Sequence, residues 1–333
     1  MARHRRVPIA VLGDGGWGTA LALHLYRRGH RVTLWSAFAD YAKFLDRKRQ
    51  NVKFLPGILL PRALQITSNL KEAVESAHLV ILAVPSVYLR QVLSQVRVFK
   101  LTSKLWLSAA KGLDRQTLKR MSQVVQESLG KIHLAVISGP NIAAEIARCQ
   151  PASSVVASSD PEVSFHIQRI LMDERMRIYT SNDVIGVELG GALKNPIAIA
   201  AGIGDGLGFG NNAKAELITR GIVEMARLGV AMGAREDTFW GLSGLGDLVT
   251  TCYSGRNRWL GEQLGRGHSL KTILSSTPMV IEGVETAKAA TALGRVHRVE
   301  LPIIEQVYAT VFRGRSARQA LRALMSRKGK IES

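Results

Sequence analysis

The sequence predicts an α/β protein: an N-terminal Rossmann-like doubly wound sheet joined to an all-helical C-terminal domain. Three observations predict it. A strand, a glycine-rich loop, a helix and a second strand follow one another within about thirty residues near the start of the chain. Short apolar runs then alternate with helical periods up to Thr180. Beyond Thr180 the strand-like runs stop, and helical periods separated by glycine take over. The change of texture at Ser181 to Asp183 divides the chain into domains of residues 1–182 and 183–333.

Taken in order, Val7 to Leu12 is a strand, with Pro8 tolerable near its start. The loop GDGGWG, Gly13 to Gly18, leads into a helix that stops at Gly29, and Val32 to Trp35 is the next strand. In that context the loop reads as a dinucleotide site. Gly13 permits the sharp turn, Gly15 lets a pyrophosphate approach the backbone, and Gly18 lets helix pack on strand. The helix N-terminus presents N–H donors and partial positive charge to the anion. Asp14 is a poor neighbour for an anion, so its side chain is expected to point away. Enzymes that use NAD usually place Asp or Glu after the second strand to hold the ribose 2′-hydroxyl. Here Ser36, Ala37 and Phe38 stand there, and the first acid is Asp40. A 2′-phosphate is therefore admissible, with Arg47, Lys48 or Arg49 at hand, which favours NADPH or the use of both NADPH and NADH. Further strands are expected at Leu79 to Val84, Lys104 to Ser108, Leu134 to Ile137, Ser154 to Ala157 and Arg177 to Thr180. Helices are expected at Val87 to Val96, at Leu118 to Leu129, through Ile146 and after Pro161. Ligands collect at the carboxyl ends of such strands, which is where Lys111, Gly139 and Asn141 fall. Loop position alone would equally suit Lys111 as a solvated cation.

The second half is read as helices at Val184 to Ala201, Ala213 to Leu228, Leu260 to Leu264, Val284 to Leu293, Pro302 to Phe312 and Ala317 to Ser326. Asn182 and Asp183 are natural N-caps for the first. That helix opens the stretch GVELGGALKNPIAIAAGIGDGLGFG, apolar or small except for a central Lys194. Gly190 and Gly191 precede Lys194 on the same helical face. Each glycine costs roughly 1 kcal/mol in a helix interior, which close approach of another backbone or of a ligand would offset. Pro196 removes one helix hydrogen bond and is expected to kink the segment. Two readings of Lys194 stand side by side: a side chain that snorkels to the surface, or a desolvated lysine with a lowered pKa, suited to proton transfer. Downstream, Asp247 lies among glycines and aliphatics, where an unpaired carboxylate is costly. Arg256 and Asn257 follow a glycine and begin a helix, a good place for a phosphate, although a surface salt bridge would also explain Arg256. Glu282, at a helix start, also suits a helix-capping role.

The chain has 333 residues, 46% hydrophobic and 21% charged, as in ordinary globular proteins. No uninterrupted apolar run reaches the roughly 18 residues of a membrane span, and the basic, apolar start is too short for a signal peptide. Cys149 and Cys252 are far apart and form no metal spacing, so reduced thiols, a cytoplasmic setting and no metal are expected. The net charge is +19. Up to Thr180 there are 26 Lys and Arg against 12 Asp and Glu, so the excess sits mainly in the first half. The cations are scattered, with clusters at Arg3 to Arg6, Arg47 to Arg49 and Arg313 to Lys330. Without a nucleic-acid-binding signature they read as solvated surface.

The motifs GDGGWGTALA, AAKGL, SGPN, GGALKNPIAIAAGIGDGLGFGNNAKAELITRG, GLSGLGDL, SGRNR and IEGVETAK occur in this order. With them the chain resembles the NAD(P)-dependent glycerol-3-phosphate dehydrogenases of bacterial type, from about Ile9 to about Leu324. The resemblance implies a Rossmann domain, a helical domain and a site in the cleft between them. It implies interconversion of dihydroxyacetone phosphate and sn-glycerol 3-phosphate, feeding glycerophospholipid synthesis, and a homodimer. By motif, Lys194 resembles the catalytic proton donor and acceptor, and Lys111 a second cation at the substrate. Gly139 and Asn141 resemble the substrate loop. Asp247, Gly255, Arg256 and Asn257 resemble substrate and phosphate contacts, with Arg256 also reaching the cofactor. Trp17, Ala143, Val280 and Glu282 resemble cofactor contacts, beside Gly13, Gly15, Gly16 and Gly18. The chain departs from the family at Asp14, usually a small residue, at Gly16 and Gly255, often serine, and at Ala37, often polar or basic.

Reduction of the ketone places developing alkoxide charge on its oxygen, so a cation there would stabilise it and deliver a proton. A lysine in apolar surroundings beside a second cation would titrate below its usual 10.4 or so. Asp247 would oppose that shift while orienting the ammonium. A 3-hydroxyacid dehydrogenase of the same build would need a His–Glu pair near Lys194, and none is evident. A non-catalytic NAD(P)-sensing protein would have no use for the lysines and the Asp247 and Arg256 loops, and a nucleic-acid binder would show salt-dependent duplex binding.

Overall fold

The computed structural model describes residues 6–328. Arg3 and Arg5 of the first basic cluster, and Lys330 of the last, lie outside the described residues.

Among the described residues eight strands form one sheet: β1 Pro8–Leu12, β2 Arg31–Trp35, β3 Gln65–Thr67, β4 Leu79–Leu82, β5 Leu105–Ser108, β6 His133–Ser138, β7 Ala152–Ala157 and β8 Met176–Ser181. Their order is β3-β2-β1-β4-β5-β6-β7-β8. Every neighbouring pair is parallel except β6 with β7. The connection between these two strands carries one short helix, Ala143–Ala147. The central strands are apolar on both sides because helices cover both faces. Ile9, Val11, Leu79, Ile81, Leu105 and Leu107 point into one core. Ala10, Leu12, Val80, Leu82 and Trp106 point into the other. Helices α1 Gly16–Arg27, α6 Ala143–Ala147 and α7 Pro161–Leu171 pack on the first face. Helices α3 Leu70–Glu75, α4 Ser86–Val96 and α5 Met121–Leu129 pack on the second. Helix α2, Ala39–Lys48, joins β2 to β3.

Among the described residues nine helices follow β8. They are α8 Val184–Gly206, α9 Asn211–Ala231, α10 Asp237–Trp240, α11 Asp247–Tyr253, α12 Arg256–Gly265, α13 Leu270–Ser275, α14 Glu282–His297, α15 Pro302–Phe312 and α16 Ala317–Met325. A π-helical turn, Leu242–Gly246, leads into α11. Asp183 caps α8 by accepting from the Gly186 N–H at 2.8 Å. Helix α8 is the axis of this half, packed by α9, α11, α12, α14 and α15 on its sides and by β6 at the sheet. It continues through Pro196 rather than ending there. By length and a mean hydropathy of 1.3 it could pass for a membrane span, which a search for uninterrupted apolar runs misses. It is a core helix instead: 83% of its most apolar window is buried in the protein.

Several elements depart from the sequence reading. The short elements β3, α3, α10, α11 and α13 have too few turns or residues to show a period, and α2 buries only Ala42 and Leu45. The expected helix at Leu118 starts instead at Met121, because Leu118 adopts φ 60° and an Asp114 turn precedes it. Helix α12 extends four residues before the expected start, its first turn being polar.

Candidate active site

The glycine loop closes around the carboxyl end of β1. Gly13 has φ 121°, and a Cβ there would meet the Ala83 carbonyl oxygen at 2.7 Å, so the tight turn admits only glycine. Gly18 lies directly on the Gly13 carbonyl, which is the close helix-to-strand packing the spacing predicts. A Cβ on Gly15 would meet nothing within 4 Å, and its backbone is extended. The protein itself thus does not demand glycine at 15; the space it leaves open suits an approaching phosphate. Helix α1 begins there with no side-chain cap, leaving its first N–H groups for an anion. The Trp17 Nε1–H is buried without a partner, a second sign of a missing acceptor. These features fit a dinucleotide. Gly16 has a different reason: a Cβ there would lie 2.6 Å from the Phe54 carbonyl oxygen, with Ala143 alongside. The loop 51–60 therefore leaves no room for the serine common in the resembled family.

Along the same edge of the sheet, β5 runs into Lys111 and β6 into Gly139 and Asn141. Gly139 turns with φ 141°, another position for glycine alone. The Lys111 ammonium donates to the Gly139 carbonyl at 2.8 Å and to Asp247 Oδ2 at 2.7 Å. Lys194, 7% exposed, donates to Thr251 Oγ1 at 2.5 Å and forms an ion pair with the other oxygen of that carboxylate at 2.8 Å. Asp247 itself is 2% exposed. One carboxylate thus holds two ammonium groups, from β5 and from α8, in a water-poor pocket. The trio carries a net positive charge. Each ammonium has three N–H groups and two polar partners, and no third acceptor stands among the described residues. The snorkelling alternative for Lys194 is set aside, because its charged end lies inside. Burial lowers the Lys111 pKa to about 8, aided by the Lys194 charge and opposed by Asp247.

The two glycines before Lys194 do not open space for a ligand. A Cβ on Gly190 would meet the Ser243 carbonyl oxygen at 2.5 Å, and one on Gly191 would strike the Ser138 hydroxyl beside the Lys111 side chain. They let α8 touch the π turn and the end of β6, which is what brings Asp247 and Lys111 to Lys194.

Helix α12 supplies the next group. Gly255 heads it with φ 93°, and the exposed Arg256 is its first residue. The Asn257 amide donates to Asn195 Oδ1 at 2.8 Å and its oxygen accepts from the Gly283 N–H at 2.9 Å. Asn195 in turn donates to the Lys111 carbonyl at 3.3 Å. Asn257 therefore ties α12, α14, α8 and the β5 loop together, with one amide N–H left over. Asn141 donates to Ser154 while its buried oxygen is unpartnered. Glu282, at the start of α14, accepts from the Ser86 N–H at 2.9 Å and from its hydroxyl. It also bears electrostatically on Arg256, and burial raises its pKa. Val280 is half-buried two residues earlier, and Ala37 is exposed at the end of β2. Arg49 is withdrawn from any ribose: it donates to the Pro61 and Leu64 carbonyls and pairs with Asp46.

Sequence reasoning missed Thr251, Asn195 and Ser86. Thr251 lies one helical turn after Asp247, a spacing that could have exposed it. Asn195 and Ser86 carry no local signal. Among the described residues no group of three or more His, Cys, Asp or Glu side chains could hold a metal.

The chain matches two family models: the N-terminal part of NAD-dependent glycerol-3-phosphate dehydrogenase over residues 8–164, and its C-terminal part over residues 183–322. It is 46% identical to a Fusobacterium nucleatum protein named glycerol-3-phosphate dehydrogenase NAD(P)+, over 98% of both chains. It is 44% identical to a protein of the same name from a Thermoanaerobacter species, over 97% of this chain and 98% of the other. Its fold superimposes on the crystal structure of glycerol-3-phosphate dehydrogenase from Coxiella burnetii with a TM-score of 0.93 and 37% identity, over 97% and 99% of the two chains.

Proposed function

Because the chain belongs to the NAD-dependent glycerol-3-phosphate dehydrogenase family and interconverts dihydroxyacetone phosphate and sn-glycerol 3-phosphate, we propose that Lys194, Asp247 and Lys111 are its reaction centre. The observation that carries this is the single buried carboxylate shared by two ammonium groups at the sheet edge. A nicotinamide dinucleotide supplies the hydride. Gly13, Gly15, Gly16, Trp17 and Gly18 form its cradle, with Ala37, Ala143, Val280 and Glu282 around it.

In the reducing direction Lys194 donates a proton to the oxygen of the substrate carbonyl through its uncommitted N–H. Lys111 adds a second positive charge near the developing alkoxide. Asp247 fixes both ammonium groups, and Thr251 holds Lys194 in its rotamer. The net positive charge of the trio also draws in a phosphorylated substrate. Arg256 clamps the phosphate from the first turn of α12, with the Gly255 backbone, the spare Asn257 N–H, Gly139 and Asn141 completing the pocket. The product serves glycerophospholipid synthesis.

The domains are residues 1–182 for the dinucleotide and 183–333 for the substrate. The two free thiols, Cys149 and Cys252, support a cytoplasmic setting. A homodimer rests on the family resemblance, and light scattering of the purified protein checks it. The reading is tested by oxidation of NADH and NADPH with dihydroxyacetone phosphate. Lys194→Ala should reduce kcat by about a thousandfold while dinucleotide affinity stays within about threefold. Retained turnover would remove Lys194 from the proton step.

A further inference from the structure

Read along the chain, no carboxylate follows β2, which admits a 2′-phosphate. In space a carboxylate is there. The glycine loop lies against the end of β2: the Gly13 N–H donates to the Trp35 carbonyl at 3.0 Å. From the next position the Asp14 side chain turns onto that strand end, and its Oδ2 accepts from the fully buried Ser36 hydroxyl at 2.6 Å. Its backbone is locked as well. The Asp14 carbonyl accepts from the buried Asn51 amide at 2.7 Å and from Thr19 at 3.2 Å, and Asn51 is held by the Tyr41 hydroxyl. The carboxylate therefore points away from the pyrophosphate cradle but towards the position where Rossmann proteins read the ribose.

We propose that Asp14 is the determinant of cofactor choice in this chain: reaching across from the glycine loop, it takes the place of the missing acid after β2 and selects NADH over NADPH. This rests on the dinucleotide reading of the cradle. One oxygen is spent on Ser36, and the other can accept from a 2′-hydroxyl. A 2′-phosphate would bring about two negative charges to the same carboxylate. The cations at the end of α2 are badly placed to offset this. Arg47 and Lys48 lie at the far end of α2, roughly 14 Å along its axis from Phe38, and Arg49 is engaged elsewhere. Lys53 is the cation that acts on Asp14, and it leans on the Phe54 and Tyr41 rings.

The test is direct binding of NADH and of NADPH to the full chain by calorimetry, without substrate. The wild type should bind NADH at least about tenfold more tightly. In Asp14→Asn, shown to be folded by circular dichroism, that ratio should shrink about tenfold, mainly through tighter NADPH binding. Equal affinities in the wild type, or a ratio unchanged in Asp14→Asn, overturns the role of Asp14 and leaves the cradle standing. Tighter NADPH binding that is lost in Lys53→Ala overturns it in favour of Lys53. Failure of both dinucleotides to bind overturns the cradle and the proposal together.

Discussion

Lys194 and Lys111 share Asp247, yet their surroundings differ, and so do their roles. Lys194 comes from the middle of an apolar helix and is held by a hydroxyl and a carboxylate oxygen. Lys111 comes from a loop at a strand end and is braced by a backbone carbonyl. Its folded pKa of about 8 lies below the usual lysine value, so it is charged below that pH and loses its proton as pH rises through it. The expected consequence is a fall in kcat/KM for dihydroxyacetone phosphate above about pH 8. Lys111→Arg, permanently charged, should move that fall to higher pH, and an unmoved limb would assign it to another group. Arg256→Ala should raise KM for dihydroxyacetone phosphate about tenfold or more with a smaller change in kcat. Steady-state kinetics at a saturating dinucleotide concentration separates the two.

At the scale of elements, the decisive contacts are made by backbone. Helix α8 can lie on the π turn only because position 190 has no side chain. Gly190→Ala would push against the Ser243 carbonyl, which cannot rotate away as a side chain could. The expected cost is about 2 kcal/mol, read by urea denaturation, together with lost activity, because the same turn feeds into Asp247. A second element-level device is Glu224 of α9, whose buried carboxyl accepts from the Ile303 N–H at 2.7 Å and the Ile304 N–H at 3.3 Å in the first turn of α15. Burial pushes its pKa up to about 8, above the 4.5 of the free group. The folded protein then holds a proton that the unfolded chain has released, so this group's stabilising contribution declines as pH rises from about 4.5 to about 8. Glu224→Gln should flatten that slope by a few kcal/mol, checked by denaturation at pH 5, 7 and 8.5.

At the scale of the molecule, side chains of the second half reach back to clasp the sheet. Glu282 clasps the N-terminus of α4 through Ser86. Glu188 of α8 accepts from the Ser122 N–H at 2.7 Å and pairs with Arg120 at 2.5 Å, almost out of water. Glu188→Ala would strand Arg120 and the α5 N-terminus, at a cost of about 3 kcal/mol. With the halves coupled this way, fluorescence and circular dichroism should report one coincident unfolding transition, shifted as a whole in the variant. Two separated transitions would show that the clasps do not couple them. Much of this was legible beforehand. Strand alternation, the glycine spacing and the Asp183 cap are local signals, so the sequence by itself determined the doubly wound sheet, the helical second half and the presence of Lys194, Lys111, Asp247 and Arg256 as chemistry in search of partners. It also marked α8 as an apolar helix carrying one central cation. The tertiary structure alone decided the partnerships. Lys111 and Asp247 are 136 positions apart, Ser86 and Glu282 are 196 apart, and the Asp14 carboxylate turned out to stand at the end of β2. It also decided between the two occupants open to Gly190 and Gly191, setting the Ser243 backbone against the first and the Ser138 and Lys111 side chains against the second. The physical reason is that periodicity and capping act within a few residues along the chain, whereas a buried charge is satisfied by whatever the fold brings within about 3 Å of it.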